Sequence, residues 1–164
     1  MPVIRTARLE DLEHLVDLLR LLFAIEEDFT FDAGKQRLGL GRLLSHSGGC
    51  ILVAEGAGRV IGMATGQLVI STAEGGPAVL IEDVVVDPGH RGQGVGRALM
   101  AALAAWAREQ GATRMQLLAD KHNAPALAFY DRIGWRTTGL ICLRQHLCSG
   151  NQNPDATLPP RSAP

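Results

Sequence analysis

Residues 81–100 read IEDVVVDPGHRGQGVGRALM, and this stretch decides the fold. The aliphatic run predicts a strand over 79–86, which Pro88 and Gly89 end, and an apolar stripe at helical spacing follows the loop. The alternating glycines of RGQGVG (91–96) allow backbone N–H groups to converge at a helix N-terminus, where the helix dipole favours negative charge. The sequence therefore predicts an anion site, and pyrophosphate is the ligand that fits it best.

Two common phosphate-binding loops do not match this sequence. A dinucleotide fingerprint G-x-G-x-x-G needs glycine where Arg97 stands, and it needs an acidic residue about twenty positions later for the ribose. A Walker A loop needs Gly-Lys-Ser or Gly-Lys-Thr, which this loop lacks. A glycine-rich turn without a ligand is the simpler alternative.

The composition excludes several classes of protein. The chain has 164 residues, 46% of them hydrophobic, and 16 basic against 17 acidic side chains give a net charge of −1. A nucleic-acid binder usually has a basic excess, and a membrane-spanning helix needs roughly 20 apolar residues, twice the run over 98–107. Charged residues fill the N-terminus where a secretory signal would be apolar, and the three cysteines lack C-x-x-C spacing. We expect a cytoplasmic protein with no nucleic-acid or membrane partner.

The remaining pattern predicts the element order β α α β β β α β α β β, which is typical of an α/β domain with a mixed sheet. We expect Thr6 to cap the first helix, Gly39 and Gly41 to break the second, and residues 140–147 to form a final strand. Residues 1–148 would form a single domain. Residues 149–164, with four of the eight prolines, would be a disordered tail.

The stretch 81–100 and the later NAPALAFYDRIGW (123–135) together resemble the two signature segments of the GNAT superfamily of acetyl-CoA-dependent N-acetyltransferases. The order of elements over residues 3–147 also follows that family. The resemblance implies an acyltransferase with a mostly antiparallel sheet of six to seven strands and about four flanking helices. It also implies acetyl-CoA as the acetyl donor, a small-molecule or peptide amine as acceptor, and a homodimer.

The resemblance further implies which residues bind the coenzyme. The pantetheine arm would pair with the backbone of Val84, Val85 and Val86. The pyrophosphate would accept from the N–H groups of Gly92, Gln93, Gly94, Val95, Gly96 and Arg97. Arg91 and Arg97 would meet phosphate oxygens or stay solvated. Asn123 would bond pantetheine or serve as an ordinary helix cap, and these two roles are compatible.

Acetyl transfer to an amine requires a neutral nucleophile and a proton for the departing thiolate. Removing the proton of an alkylamine at pH 7 costs roughly 4.6 kcal/mol, because its pKa is near 10.4. By resemblance, Glu82 is the base acting through water, and Tyr130, the single tyrosine, contacts the coenzyme and is the acid. Asp83 would face the other side of a regular strand, unless the strand bulges. The alternatives are that either carboxylate pairs with an arginine such as Arg59 or Arg91, and that Tyr130 is only a half-buried aromatic.

The sequence contains less evidence about the amine acceptor and about competing functions. Glu26 and Glu27 are candidate contacts for a cationic amine, although they would equally suit a solvated turn. We expect no metal, because Cys142 and His146 on one strand would lie about 13 Å apart, too far for one zinc ion. No cysteine or histidine relay supports an acyl-enzyme, so direct attack in a ternary complex is expected. A catalytically silent coenzyme-binding module and a plain nucleotide binder are the alternatives.

Overall fold

The computed structural model describes residues 2–25 and 29–147, which form one sheet and the helices packed on its two faces. The strands are β1 (Val3–Thr6), β2 (Gly49–Gly56), β3 (Arg59–Ser71), β4 (Gly76–Val86) and β5 (Met115–Leu117). The helices are α1 (Leu12–Phe23), α2 (Ala33–Leu44), α3 (Val95–Glu109) and α4 (Ala124–Arg132). The strands lie in chain order across the sheet; β1 to β4 are antiparallel and β5 is parallel to β4. The mixed, mostly antiparallel sheet and the four helices are therefore confirmed.

Alternate side chains of the strands build two separate cores. On the α3 face, Leu99 and Leu103 of α3 pack on Leu52 and Ile81. On the opposite face, which we call the α1 face, the buried side of α1 packs on Ile51, Met63 and Val85. The partly buried rings of α4 join the α3-face cluster. The two faces place α1 and α2 on one side of β4 and α3 and α4 on the other.

The first two helices begin differently from the sequence prediction. Thr6 does not cap α1, because it lies in β1 opposite Leu52. A 3-10 turn over Leu9–Asp11 leads into α1, and the Asp11 carboxylate accepts from the Arg8 N–H at the start of that turn, at 2.7 Å. Gly39 and Gly41 do not break α2, whose first turn is capped by Asp32. A helix interior tolerates each glycine at about 1 kcal/mol relative to alanine, and the cap and the buried Leu40 offset that cost.

The predicted final strand is wrong for the part of the chain that the structure covers. Residues 136–147 have no strand pairing, so the described sheet has five strands and not six to seven. The apolar pattern there indicated a strand, yet Leu140, Ile141, Leu143 and Leu147 are 81 to 89% exposed. The physical reason is the length of β5, which at three residues offers few backbone groups for a further strand.

Other predictions fall outside the structure. The tail over 149–164 lies outside the described residues, as do Glu26 and Glu27. Across residues 2–25 and 29–147, no helix is both long enough and apolar enough to cross a membrane.

Candidate active site

The second half of β4 has an open edge. β4 pairs with β3 over most of its length, but it pairs with β5 only at Val79, Leu80 and Ile81. Beyond Ile81, β5 ends while β4 continues to Val86. A gap therefore opens along β4 immediately before the glycine-rich loop.

The register shows which backbone groups face that gap. The Asp87 N–H donates to the Ile61 carbonyl at 2.9 Å. Because hydrogen-bonded pairs alternate in an antiparallel ladder, Val85 exchanges its bonds with Met63 on β3. The backbone groups of Val84 and Val86 consequently point to the open edge. Of the three valines predicted to meet the pantetheine arm, Val84 and Val86 have their backbone groups at the open edge, where Arg91 occupies the Val86 carbonyl, and Val85 faces β3.

The loop between β4 and α3 is fastened by its side chains. Arg91 Nε donates to the Val86 carbonyl at 3.0 Å, and Gln93 Nε2 donates to the Gly89 carbonyl at 3.2 Å. Gly92 and Gly94 have φ of 74° and 82°, in the left-handed region that favours glycine. These two glycines turn the chain into α3, while the long side chains hold the loop against the end of β4.

The N-terminus of α3 supplies the anion-binding groups. Helix geometry leaves the N–H groups of Val95, Gly96 and Arg97 without an intrahelical acceptor, and the first ladder bond runs from Ala98 to Gly94 at 3.0 Å. Gly96 has a further task that the sequence analysis missed. A Cβ there would lie 3.2 Å from the Phe129 ring, so glycine lets α4 approach α3. Arg97 itself is exposed.

A β-bulge sets the direction of the two candidate carboxylates. The β3–β4 register shifts between Ala64 and Gly66, so that Thr65 on β3 faces both Glu82 and Asp83 on β4. The Asp83 N–H donates to Thr65 Oγ1 at 3.0 Å, and that hydroxyl donates to Asp83 Oδ2 at 3.2 Å. Gln67 Nε2 donates to Glu82 Oε2 at 3.4 Å.

The bulge places Glu82 and Asp83 on the same face of the sheet. Met63, Thr65 and Gln67 occupy every second position of β3, so their side chains lie on the same face of the sheet. The Met63 side chain is part of the α1-face core, and both carboxylates therefore bond to side chains on the α1 face. A regular strand would have separated Glu82 from Asp83. The arginines considered as their partners contact the loop: Arg59 pairs with Asp87 at 3.5 Å, and Arg91 bonds Val86.

Asp87 is a site residue that the sequence analysis missed. Its carboxylate accepts from the Gly89 N–H at 2.9 Å and lies 3.2 Å from His90 Nδ1. The hydrogen bond with His90, followed by that from Gly89, holds the pKa of Asp87 below its usual value. The signal was the Asp-Pro-Gly sequence, which is typical of a capped turn. Asp87 thus shapes the entry to the loop.

Helix α4 and its cap carry two of the predicted residues. Asn123 caps α4, since its Oδ1 accepts from the Ala126 N–H at 3.1 Å. Tyr130 is half-buried, with its ring centroid 5.2 Å from that of Phe129 and 5.9 Å from that of Trp135. Phe129 and Tyr130 both pack against the α3-face core. Tyr130 therefore lies on the α3 face of the sheet and Glu82 on the α1 face.

One depression in the surface lies away from this region. It has a volume of about 670 Å³, runs along the outer side of α2 and contains none of the predicted site residues. The predicted backbone donors and carboxylates lie instead along the second half of β4 and at the start of α3. Among the residues that the structure describes, no three His, Cys, Asp or Glu side chains are grouped to hold a metal ion.

Comparisons with known proteins show the family of the chain. A family model for the acetyltransferase (GNAT) family matches residues 12–135. The chain is 50% identical over 60 residues to streptothricin acetyltransferase of Streptomyces lavendulae. The aligned segment covers 37% of this chain and 32% of the relative. It is 39% identical over 80 residues to glucosamine 6-phosphate N-acetyltransferase of Trypanosoma brucei brucei, covering 48% and 52%. The matches thus span about a third and about half the length of these relatives.

The fold has a solved counterpart as well. The crystal structure of an acetyltransferase of Trypanosoma brucei superposes with a TM-score of 0.69 at 27% sequence identity. The superposition covers 90% of this chain and 100% of that one.

Proposed function

The chain belongs to the GNAT acetyltransferase family, and from this premise we propose that it moves the acetyl group of acetyl-CoA to a primary amine by direct attack in a ternary complex. The observation that carries the proposal is the continuity between the open edge of β4 and the N-terminus of α3. An extended, amide-containing arm pairs with strand-edge groups such as those of Val84 and Val86. A pyrophosphate at its far end meets the N–H groups of residues 92–97.

Glu82 is the proposed general base, acting through a water molecule. It is exposed on the α1 face, where the Gln67 amide bonds one carboxylate oxygen. An amine that approaches from this face meets a thioester held in the gap. The backbone N–H of Val84 or Val86 is the proposed donor to the oxyanion that forms during attack.

Tyr130 is the proposed acid for the departing thiolate. A phenol with an ordinary pKa near 10 is protonated at pH 7 and donates to a thiolate whose conjugate acid has a pKa of about 8.5. Its place on the α3 face supports two separate proton transfers. The amine loses its proton on one side of β4, and the sulfur gains a proton on the other.

The proposed acceptor is a small molecule or a peptide that carries a primary amine. The names of the two curated relatives refer to streptothricin and glucosamine 6-phosphate, which supports the small-molecule class. We retain Glu26 and Glu27 as proposed acceptor contacts. The Phe23 and Phe29 rings on either side of that segment stack with centroids 5.4 Å apart.

Replacement of Glu82 by glutamine tests the base. Glu82→Gln keeps the size of the side chain, and it should lower kcat/KM at pH 7 by about 100-fold for an alkylamine. The loss should be much smaller for an amine of pKa near 7.8, because its deprotonation costs only about 1 kcal/mol at pH 7. Steady-state thiol release from acetyl-CoA measures both values.

Glu109→Gln, at the exposed end of α3, is the matched control and should match the wild type. An equal loss of activity for both amines would argue against Glu82 as the base. Binding of coenzyme A without thiol release for any amine would favour the silent module, and protection by ATP or NAD alone would favour a nucleotide binder.

A further inference from the structure

A fully buried hydroxyl group lies next to the two carboxylates. Thr65 is 0% exposed, in the middle of β3. Its oxygen both accepts from the Asp83 N–H and donates to the Asp83 carboxylate. A buried polar group is retained only where its hydrogen bonds are satisfied, and both bonds of Thr65 go to one residue.

The bulge explains why this hydroxyl is placed there. An extra residue in one strand loses its regular partner across the ladder, so its N–H needs another acceptor. Thr65 Oγ1 is that acceptor for Asp83. Two positions along β3 on the same face, the Gln67 amide bonds Glu82, so β3 holds both residues of the bulge.

We propose that Thr65 is a positioning residue, whose hydroxyl fixes the bulge so that Glu82 faces the acceptor side of the cleft. This inference rests on the proposed function. Thr65 does not touch substrate, because its side chain is completely buried. It acts through the backbone of Asp83 on the direction of the preceding residue, Glu82.

A β4 strand without the bulge would be less stable, because its core side chains would be misplaced. Removing the bulge would shift one half of β4 by one residue relative to β3 and turn its side chains to the wrong face. Val85 would leave the α1-face core and Val84 the α3-face core. Without the hydroxyl, the bulge therefore persists but Asp83 loses its anchor, and the direction of the adjoining Glu82 carboxylate becomes more variable.

Thr65→Val removes the hydroxyl at nearly constant volume, and Thr65→Ser retains it. We expect Thr65→Val to lower kcat by about ten-fold, since small misplacements of reacting groups have large effects on rate. The KM for acetyl-CoA should change by less than about two-fold, because the groups that bind the coenzyme lie beyond the bulge. Thr65→Ser should restore kcat to within about three-fold of the wild type.

Two controls separate positioning from a general loss of structure. Thr113→Val removes a similar bond, from Thr113 Oγ1 to Glu74 Oε2 at 2.7 Å, outside the catalytic gap, and should leave kcat unchanged. In a Glu82→Gln background, Thr65→Val should lower kcat by less than about two-fold more, because residues that act as a unit have non-additive effects.

The outcomes are decisive in both directions. Three results would each contradict the positioning role of Thr65. The first is a wild-type kcat in Thr65→Val, and the second is a failure of Thr65→Ser to recover kcat. The third is a decrease in kcat from Thr65→Val that is as large in the Glu82→Gln background as in the wild type. If Thr65→Val does not fold, Thr65→Cys keeps the size with a weak donor, and a wild-type kcat there would overturn it as well. A wild-type protein inactive with every amine would overturn the proposed function and this role together, whereas an active one that Thr65→Val leaves unchanged overturns this role alone.

Discussion

Tyr130 shows how one side chain combines packing and proposed chemistry. Its ring lies between Phe129 and Trp135 and contributes to the α3-face core. Phenylalanine has the same ring without the phenol oxygen, so it preserves this packing. The substitution therefore isolates the hydroxyl.

Tyr130→Phe should lower kcat by about ten-fold or more, because the departing thiolate loses its proton donor. Affinity for coenzyme A should barely change, since the pyrophosphate and pantetheine contacts belong to other residues. Calorimetric titration with coenzyme A and steady-state thiol release measure the two quantities. An unaltered kcat would remove Tyr130 from the mechanism.

At this scale, the sequence predicts residues whose role is local. The glycine-rich loop and the Asn123 cap depend on neighbours a few positions away, and both are found where the pattern indicated. Thr65 and the packing role of Gly96 were missed. Each depends on a contact with a distant segment, which a single sequence does not encode in its local spacing.

Among the elements, β1, β2 and the start of α1 are joined by one ion-pair network. Arg5 makes two bonds to the Asp11 carboxylate, at 2.7 and 2.9 Å, and a third to Glu55 at 2.6 Å. Asp11 is only 4% exposed, and its hydrogen bonds from Arg5 hold its pKa below the ordinary 3.8. The same bonds raise the pKa of Arg5.

Stability should therefore depend on pH through Asp11. A carboxyl with a lowered folded pKa stabilises the fold above its unfolded pKa, and this contribution is lost as the pH falls through the folded value. Asp11→Asn should lower the free energy of unfolding by about 2 kcal/mol at pH 7, since bonds to charged groups are lost. The difference from the wild type should shrink below about pH 4.

Urea unfolding followed from pH 7 to pH 2.5 would measure that difference. Glu10→Gln is the control, because the Glu10 side chain is 69% exposed and its pair with Arg8 lies on the surface. A difference between Asp11→Asn and the wild type that stays constant across this range would contradict the account.

Helices whose apolar residues recur at helical spacing were predictable, as was the β2–β3 hairpin. A strand that depends on pairing with the edge of a distant strand was not. α1 and α3 follow from their buried stripes, and the β2–β3 hairpin follows from its glycine-containing turn. Residues 140–147 have the composition of a strand but lack pairing, since β5 is too short to extend the sheet. A strand needs a neighbouring edge, and the pattern of one segment does not report the length of another.

For the molecule as a whole, the site depends on where strands stop pairing. The gap beside β4 exists because β5 ends at Leu117, while the bulge and the loop aim side chains and backbone groups toward it. The signature segments predicted the family to which the chain belongs, and the family match over residues 12–135 confirms that assignment. The sequence did not reveal that Tyr130 and Glu82 occupy opposite faces, because that depends on register and on the bulge.

The most direct test of the central claim is a product measurement on the wild-type protein. Acetyl-CoA is incubated with a panel of polyamines, amino acids, aminoglycosides and peptides, and thiol release is compared with the acetylated amine found by mass spectrometry. The account predicts equal amounts of free thiol and singly acetylated amine for at least one acceptor. Thiol release without any acetylated amine, or coenzyme binding with neither product, would contradict it.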